Sequence, residues 1–258
     1  MAGFKGIMMT QDVTEDGFLG GRLRIRQPRV GYRAGGDPIF LAAAVDPRPG
    51  SSVLDLGAGV GTVSLCLACR IPDVSVTGVE IQDDLAALAR DNARINGLDD
   101  RCAFVSGDVS ALPESLKGRK FQMVVTNPPW TESGAGTPPP VPSKSRGHME
   151  GEADLAAWIK AAAGFVENKG VVACIHRADR VHELFAAFAK ARLGDIRMIA
   201  LHARADRPAI RVILSGRKGV RTPTQIMPPL VLHDDTGGFT AAARAVLEQG
   251  RPLFPGTA

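Results

Sequence analysis

Asp55-Leu-Gly57-Ala-Gly59-Val-Gly61 joins a short apolar run, Val53-Leu-Asp-Leu, to a helical pattern from Thr62 to Arg70. Three glycines at such a junction permit a tight strand-to-helix turn and let a ligand lie against bare backbone. The alternation then repeats. Val74 to Glu80 reads as a second strand, and Asp83 to Asn96 as a helix ending at Gly97. Cys102 to Val105 and Phe121 to Thr126 read as the third and fourth strands. A helix from Asp154 to Val166, a strand from Gly170 to Ile175 and a helix from Ala178 to Ala191 follow. Ile196 to Leu201 and Ala209 to Leu214 form a closing strand pair. This rhythm predicts an α/β, Rossmann-like fold: a mostly parallel seven-stranded sheet with helices on both faces. The late pair, with no long helix between its strands, predicts an antiparallel edge strand.

Ahead of that domain, expected over residues 51–258, lies an extension of residues 1–50. Residues 1–20 are polar and glycine-containing, which predicts loose order. Arg22-Leu-Arg24-Ile-Arg26 alternates with period two, as a strand with one basic face does. Asp37-Pro38 before Ile39-Phe-Leu-Ala-Ala-Ala-Val45 fits a helix N-cap followed by proline at the first helical position.

Composition narrows the class. Apolar residues make up 45% of the 258, ample for a full core, and the formal charge of +4 leans weakly toward an acidic partner. Cys66 and Cys69 mimic a C-x-x-C pair but fall inside an apolar helical run with no second pair behind them. With Cys102 and Cys174 they are expected to be buried free thiols in a reducing, cytoplasmic setting. The five histidines show no ligand spacing, so no metal is expected. Met1 to Thr10 has one lysine and no apolar core of a signal peptide, and no run is long enough to span a membrane.

The glycine spacing is G-x-G-x-G rather than the G-x-G-x-x-G of dinucleotide folds, which seat a pyrophosphate on a helix N-terminus. S-adenosylmethionine carries no phosphate, and backbone plus an acid can meet its amino-acid end. Gly57, Ala58, Gly59 and Gly61 supply the backbone, and Asp55 is placed to hold the ammonium directly or through water. Glu80, followed by Ile81, closes the second strand, where an acid accepts ribose hydroxyls. Asp108 closes the third, placed to accept from the adenine amine while Val109 packs on the ring. Asp55 and Asp108 also suit ordinary helix or turn caps, and an acid closing the second strand suits a nicotinamide dinucleotide as well.

Asn127-Pro128-Pro129-Trp130 follows the fourth strand at its carboxyl end, where open α/β sheets bind ligands. An exocyclic adenine amine is a poor nucleophile because its lone pair is delocalised into the ring. The Asn127 side-chain oxygen and the Pro128 carbonyl are placed to accept one N–H each. That favours a pyramidal nitrogen and stabilises charge where it develops. Trp130 supplies a stacking face worth roughly 1–3 kcal/mol. The same residues also read as a plain Pro-Pro turn with an Asn cap and a core Trp. Residues 131–150 are too rich in Pro and Gly for a regular element and read as a mobile substrate lid, with a passive insertion as the alternative.

These residues resemble the class I S-adenosylmethionine-dependent methyltransferases, and within them the bacterial tRNA1(Val) adenine-N6-methyltransferase family. The resemblance runs through Gln27-Pro-Arg-Val-Gly-Tyr-Arg33, Gly36-Asp37-Pro-Ile-Phe-Leu41, the glycine turn, Val79-Glu80 and Asn127–Trp130. It continues in Glu152-Ala-Asp-Leu155 with Trp158-Ile, and in Arg207-Pro-Ala-Ile-Arg-Val212. It implies S-adenosylmethionine as cofactor, with Tyr32, Asp37 and Asn127 joining the residues above around it. It also implies an adenosine beside a tRNA anticodon as target, flipped out to reach the site. Trp130 departs from the Tyr or Phe more usual there.

Three basic groups fit an RNA partner: Arg22, Arg24, Arg26, Arg29 and Arg33; Lys144 and Arg146; Arg204, Arg207 and Arg211. The alternatives are methylation of a protein glutamine amide, a NAD-dependent oxidoreductase, and a non-catalytic cofactor- or RNA-binding module. Oligomeric state is not legible in the chain.

Overall fold

The computed structural model describes residues 13–31, 33–109, 113–129 and 152–254. Tyr32, Trp130, Lys144, Arg146 and the expected lid lie outside them.

The chain opens with an antiparallel hairpin, β1 (Val13–Phe18) and β2 (Leu23–Pro28), in full register from Val13↔Pro28 to Phe18↔Leu23. The expectation of loose order thus fails from Val13 onward. In β2 the apolar positions Leu23 and Ile25 are buried while Arg24 and Arg26 point outward, as period two requires. Helix α1 (Asp37–Ala44) carries Pro38 in its first turn, but its N-cap is Gly36, not Asp37, and no side chain caps it. The Asp37 carboxylate instead turns to Arg211, whose Nε donates to Oδ2 at 2.8 Å.

The βα alternation then runs β3 (Ser52–Leu56), α2 (Thr62–Arg70), β4 (Ser75–Glu80), α3 (Asp83–Ile95), β5 (Cys102–Ser106) and β6 (Phe121–Thr126). It continues with α4 (Glu152–Phe165), β7 (Val166–Arg177), a 3₁₀ turn at Ala178–Arg180 and α5 (Val181–Lys190). The helix expected from Ala178 therefore starts three residues later. Strands β8 (Leu193–His202) and β9 (Ala209–Lys218) form the long closing hairpin. Two short strands and a helix complete the chain: β10 (Gln225–Ile226), β11 (Leu230–Val231) and α6 (Ala241–Leu247).

The main sheet has the order β10-β8-β9-β7-β6-β3-β4-β5, with β11 also on β8. All its pairings are parallel except those of β9, which runs against β7 and β8 near one edge. The α/β fold with a mostly parallel sheet is therefore the one the alternation predicts. One apolar cluster packs α1, α2 and α3 on one face, and a second packs α4 and α5 on the other.

Two asparagines fasten the hairpin to this sandwich. Asn96 and Asn92, one turn apart on α3, each exchange two bonds with the β2 backbone. Asn96 accepts from Arg24 N at 2.9 Å and donates to Arg24 O at 2.7 Å. Asn92 does the same with Arg26 at 2.8 and 3.0 Å. Their spacing matches alternate residues of a strand, so a helix face satisfies an edge that would otherwise invite aggregation. Cys66, Cys102 and Cys174 are buried free thiols pushed up by burial, while Cys69 is only half-buried. No helix among the described residues is long and apolar enough to cross a membrane.

Candidate active site

The glycine turn leaves β3 in left-handed backbone, with φ of 73°, 54° and 87° at Gly57, Gly59 and Gly61. These are values only glycine adopts without strain. Gly57 and Ala58 both donate to the Val79 carbonyl at 2.9 Å, and Gly61 closes the turn on Ala58 O at 2.8 Å. The three glycines differ in what they leave room for. Gly61 makes space for a core ring, since a Cβ there would stand 2.7 Å from Phe104 on β5. Gly57 is half-exposed and faces the Trp158 indole of α4, 2.9 Å from where its Cβ would sit.

Glu80, only 6% exposed at the end of β4, braces the same turn. One carboxylate oxygen accepts from Gly59 N and the other from Gln82 N, each at 2.9 Å. Each oxygen keeps lone-pair capacity for a further donor. Ile81 beside it is 44% exposed, an apolar surface where few large apolar residues are exposed. Asp108 and Val109 lie past the end of β5, both half-buried.

Asp55 stands behind the turn. It is 1% exposed, and its Oδ2 accepts from Ser64 N at 3.2 Å and Ser64 Oγ at 2.7 Å on α2. Burial raises its pKa to about 6, against the Ser64 bonds, with nearby Glu80 pushing the same way. A folded-state pKa above the unfolded value near 3.8 means stability present below pH 3.8 and lost as pH rises through about 6. Asp55→Asn keeps an acceptor for Ser64 and removes the buried charge. Its melting temperature should equal or exceed wild type above pH 6, and its melting profile should be flatter between pH 4 and 7. A variant that melts well below wild type at pH 8 would show that the charge itself is required.

The two turns meet through register. Leu56 of β3 pairs with Thr126 of β6, so Gly57 and Asn127 leave adjacent strands side by side at the carboxyl edge. A three-member hydrogen-bond chain ties them. Trp158 Nε1 donates to Thr126 Oγ1 at 2.5 Å, and Thr126 Oγ1 donates to Leu56 O at 2.8 Å. The indole therefore covers Gly57 while fixing the residue before Asn127. Asn127 is half-exposed, Pro128 buried and Pro129 exposed. In the sequence Trp158 stands out only as part of the segments that carry the family resemblance, with no role attached to it. Trp158→Phe should lose about 1 kcal/mol of stability with the lost bond. Trp158→Ala should also weaken S-adenosylmethionine binding roughly tenfold as both turns loosen. Titration calorimetry decides: wild-type affinity in Trp158→Ala would make the indole mere packing.

Of the arginines expected to meet RNA, several hold the protein together. Arg24 and Arg26 pair with Glu15 at 3.6 and 3.1 Å, and Arg33 with Asp16 at 2.6 Å. Arg22 donates to the carbonyls of Gln249 and Cys69, and Arg211 holds Asp37. Arg29 and Arg207 are exposed.

Glu80, Asp108 and Asn127 present carboxylate and amide groups at this edge, with Asp55 buried behind them and no Lys or Arg in residues 55–61, 80–82, 106–109 or 127–129. S-adenosylmethionine, positive at sulfur and ammonium and bearing hydroxyls and an amine, fits that donor set.

Comparison with known proteins agrees. The methyltransferase small domain family model matches residues 38–139. A tRNA1(Val) (adenine(37)-N6)-methyltransferase of Porphyromonas gingivalis is 30% identical over 85% of this chain and 88% of its own. The enzyme of that name from Actinobacillus succinogenes is 27% identical over 87% and 92%. A release factor glutamine methyltransferase of Chlorobaculum tepidum, 36% identical, matches only 35% of this chain and 31% of its own. Among solved structures, a predicted O-methyltransferase from Agrobacterium tumefaciens superposes with a TM-score of 0.69 at 23% identity, covering 84% of this chain and 98% of that one. The Thermus thermophilus 16S rRNA N2 G1207 methyltransferase, in complex with AdoMet and guanosine, gives 0.56 at 21% identity over 80% and 50%. With its glycine turn, strand-end carboxylates and Asn-Pro-Pro turn on one edge, this chain belongs to the S-adenosylmethionine-dependent tRNA1(Val) adenine-N6-methyltransferase family.

Proposed function

We propose that the protein methylates the exocyclic N6 amine of an adenosine in tRNA, in the cytoplasm, and that the residues at the carboxyl edge divide the work. The observation that carries this reading is the register pairing of Leu56 with Thr126, which sets the glycine turn and Asn127 on neighbouring strands. Bound S-adenosylmethionine supplies an electrophilic methyl group. Glu80 accepts the ribose hydroxyls with the lone pairs left over from Gly59 and Gln82, and Ile81 packs against the adenine. Asp108 accepts from the adenine amine. Asn127 Oδ1 and the Pro128 carbonyl accept the two N–H bonds of the target amine, turning its lone pair toward the methyl. Transfer would break the sulfur–methyl bond, leaving the neutral thioether of S-adenosylhomocysteine, and the positive nitrogen would face those same acceptors before giving up one proton to water. The base is reached by flipping it out of the RNA.

The relatives named as tRNA adenine-N6-methyltransferases match most of the chain, and this supports RNA as substrate over the glutamine amide, whose relative matches about a third. Buried thiols suit a reducing compartment. The deciding experiment is transfer of labelled methyl from S-adenosylmethionine to unmodified tRNA, followed by nucleoside analysis. N6-methyladenosine formed by wild type is the expected result. Label entering a protein fraction and not the tRNA would transfer the reading to the glutamine amide.

A further inference from the structure

Past the catalytic turn, the same edge of the sheet continues through β7, β9 and β8. Thr126 pairs with Cys174, Arg177 with Arg211, His202 with Ala209, and Val231 of β11 with His202. Because β8 and β11 run parallel to β6, the segment after β11 leaves the sheet at the edge where Asn127 leaves it. Four strand spacings, roughly 19 Å, separate the two positions across the sheet, and a stagger of about four residues adds roughly 13 Å along the strands.

A built aromatic platform stands there. His233 and Phe239 form a bridge pair and stack their rings at 4.9 Å with 21° between the planes. The turn joining them is preformed: Asp234 Oδ1 accepts from Thr236 N at 3.0 Å, Thr236 Oγ1 at 2.6 Å and Gly238 N at 3.1 Å. Arg244 donates to the Phe239 carbonyl at 2.8 Å and fixes the backbone that carries the ring. Nonetheless Phe239 is 40% exposed. Its ring borders a cleft of about 540 Å³ whose other walls include Ile39, Phe40 and Leu232. Arginines flank the platform. Arg204 Nη2 comes 3.9 Å from where a Cβ on Gly237 would stand, and the exposed Arg207 side chain pairs with its neighbour Asp206 at 3.7 Å.

We infer that Phe239, backed by His233, is a stacking site for an unpaired base of the RNA substrate a few nucleotides from the target, with Arg204 and Arg207 on the adjoining phosphates. An exposed ring on a rigid turn loses little entropy on binding, and every base has a face to offer it. Guanidinium groups beside it match the backbone charge. The position on the catalytic edge puts a single strand across both sites at once. The inference rests on the tRNA reading above and adds to it a second point of contact.

The test measures binding of an unmodified tRNA transcript and its anticodon stem-loop, together with KM for methyl transfer. Phe239→Leu keeps an apolar side chain at the cleft, so it folds, and it removes the stacking face. Weaker RNA binding by roughly tenfold, a matching rise in KM and unchanged S-adenosylmethionine affinity are expected. Phe239→Trp should restore binding. Arg204→Ala with Arg207→Ala should reduce the slope of log Kd against log salt by about one per lost phosphate contact. Wild-type RNA affinity and KM in Phe239→Leu would overturn the inference while leaving tRNA methylation intact. A wild type that fails to methylate tRNA at all would overturn the functional reading first. If Phe239→Leu impairs transfer to a protein and not to RNA, the platform belongs to a protein partner and the inference falls.

Discussion

Asn127→Ala is expected to lower kcat by about 10²–10³ while S-adenosylmethionine affinity changes by no more than about twofold. The prediction separates two functions that share an edge. The backbone of the catalytic turn is set by Pro128 and Pro129 and by the Trp158–Thr126–Leu56 hydrogen-bond chain, none of which the substitution touches. On the proposed reading the cofactor is met chiefly from β3, β4 and β5. Alanine, on that same reading, removes one acceptor at the nitrogen that becomes positive, an interaction strongest in the transition state, so kcat falls and ground-state affinity does not. Asn127→Asp retains an acceptor oxygen and should recover part of the rate. Single-turnover transfer to tRNA, run beside calorimetry with S-adenosylmethionine, reads both numbers. Near wild-type turnover in Asn127→Ala would remove the residue from the chemistry, and a collapse of cofactor affinity would reassign it to cofactor binding.

How far the sequence reaches depends on whether an interaction is local or crosses the sheet. The βα core was readable because its signals are local: glycines where φ turns positive, apolar strands of four to six residues, a helix stopped at Gly97 with φ of 63°. Val13–Phe18 was not, since its order comes from pairing with β2 and from Glu15 and Asp16 gripping the arginines of that strand and the loop beyond it. The same pairs explain why an alternating run of arginines looked like an RNA-binding face. Period two shows which side is polar but not which acids lie opposite. Asp37 was misjudged as a cap because its partner, Arg211, lies far away in sequence. The two-residue strands β10 and β11 carry no period at all and exist because β8 has an edge to fill. At the site, residue types were legible and their mutual placement was not. The adjacency of Gly57 and Asn127 follows from β3 lying next to β6, a crossover no local pattern specifies.

Glu80 makes the sharpest test of that placement, because the proposed function gives its carboxylate a second duty. It accepts from the N–H of buried Gly59 and from that of Gln82, an exposed residue at the rim. In Glu80→Ala those two N–H groups lose their acceptor, at about 1–3 kcal/mol each if water cannot replace it. The ribose hydroxyls lose theirs as well, so the dissociation constant for S-adenosylmethionine should rise about a hundredfold with a clear drop in melting temperature. Glu80→Gln divides the two duties. An amide has one acceptor oxygen, so either Gly59 or Gln82 must face an NH2 donor, and the turn cannot satisfy both. Affinity should then fall less than in alanine, while much of the melting penalty remains. The measurement is calorimetric titration of each variant with S-adenosylmethionine, beside thermal unfolding without it. Lower stability with unchanged affinity would make Glu80 a brace for the glycine turn alone, and the ribose hydroxyls would need another acceptor. A loss of affinity that exceeds what the destabilised turn explains places the carboxylate on the cofactor.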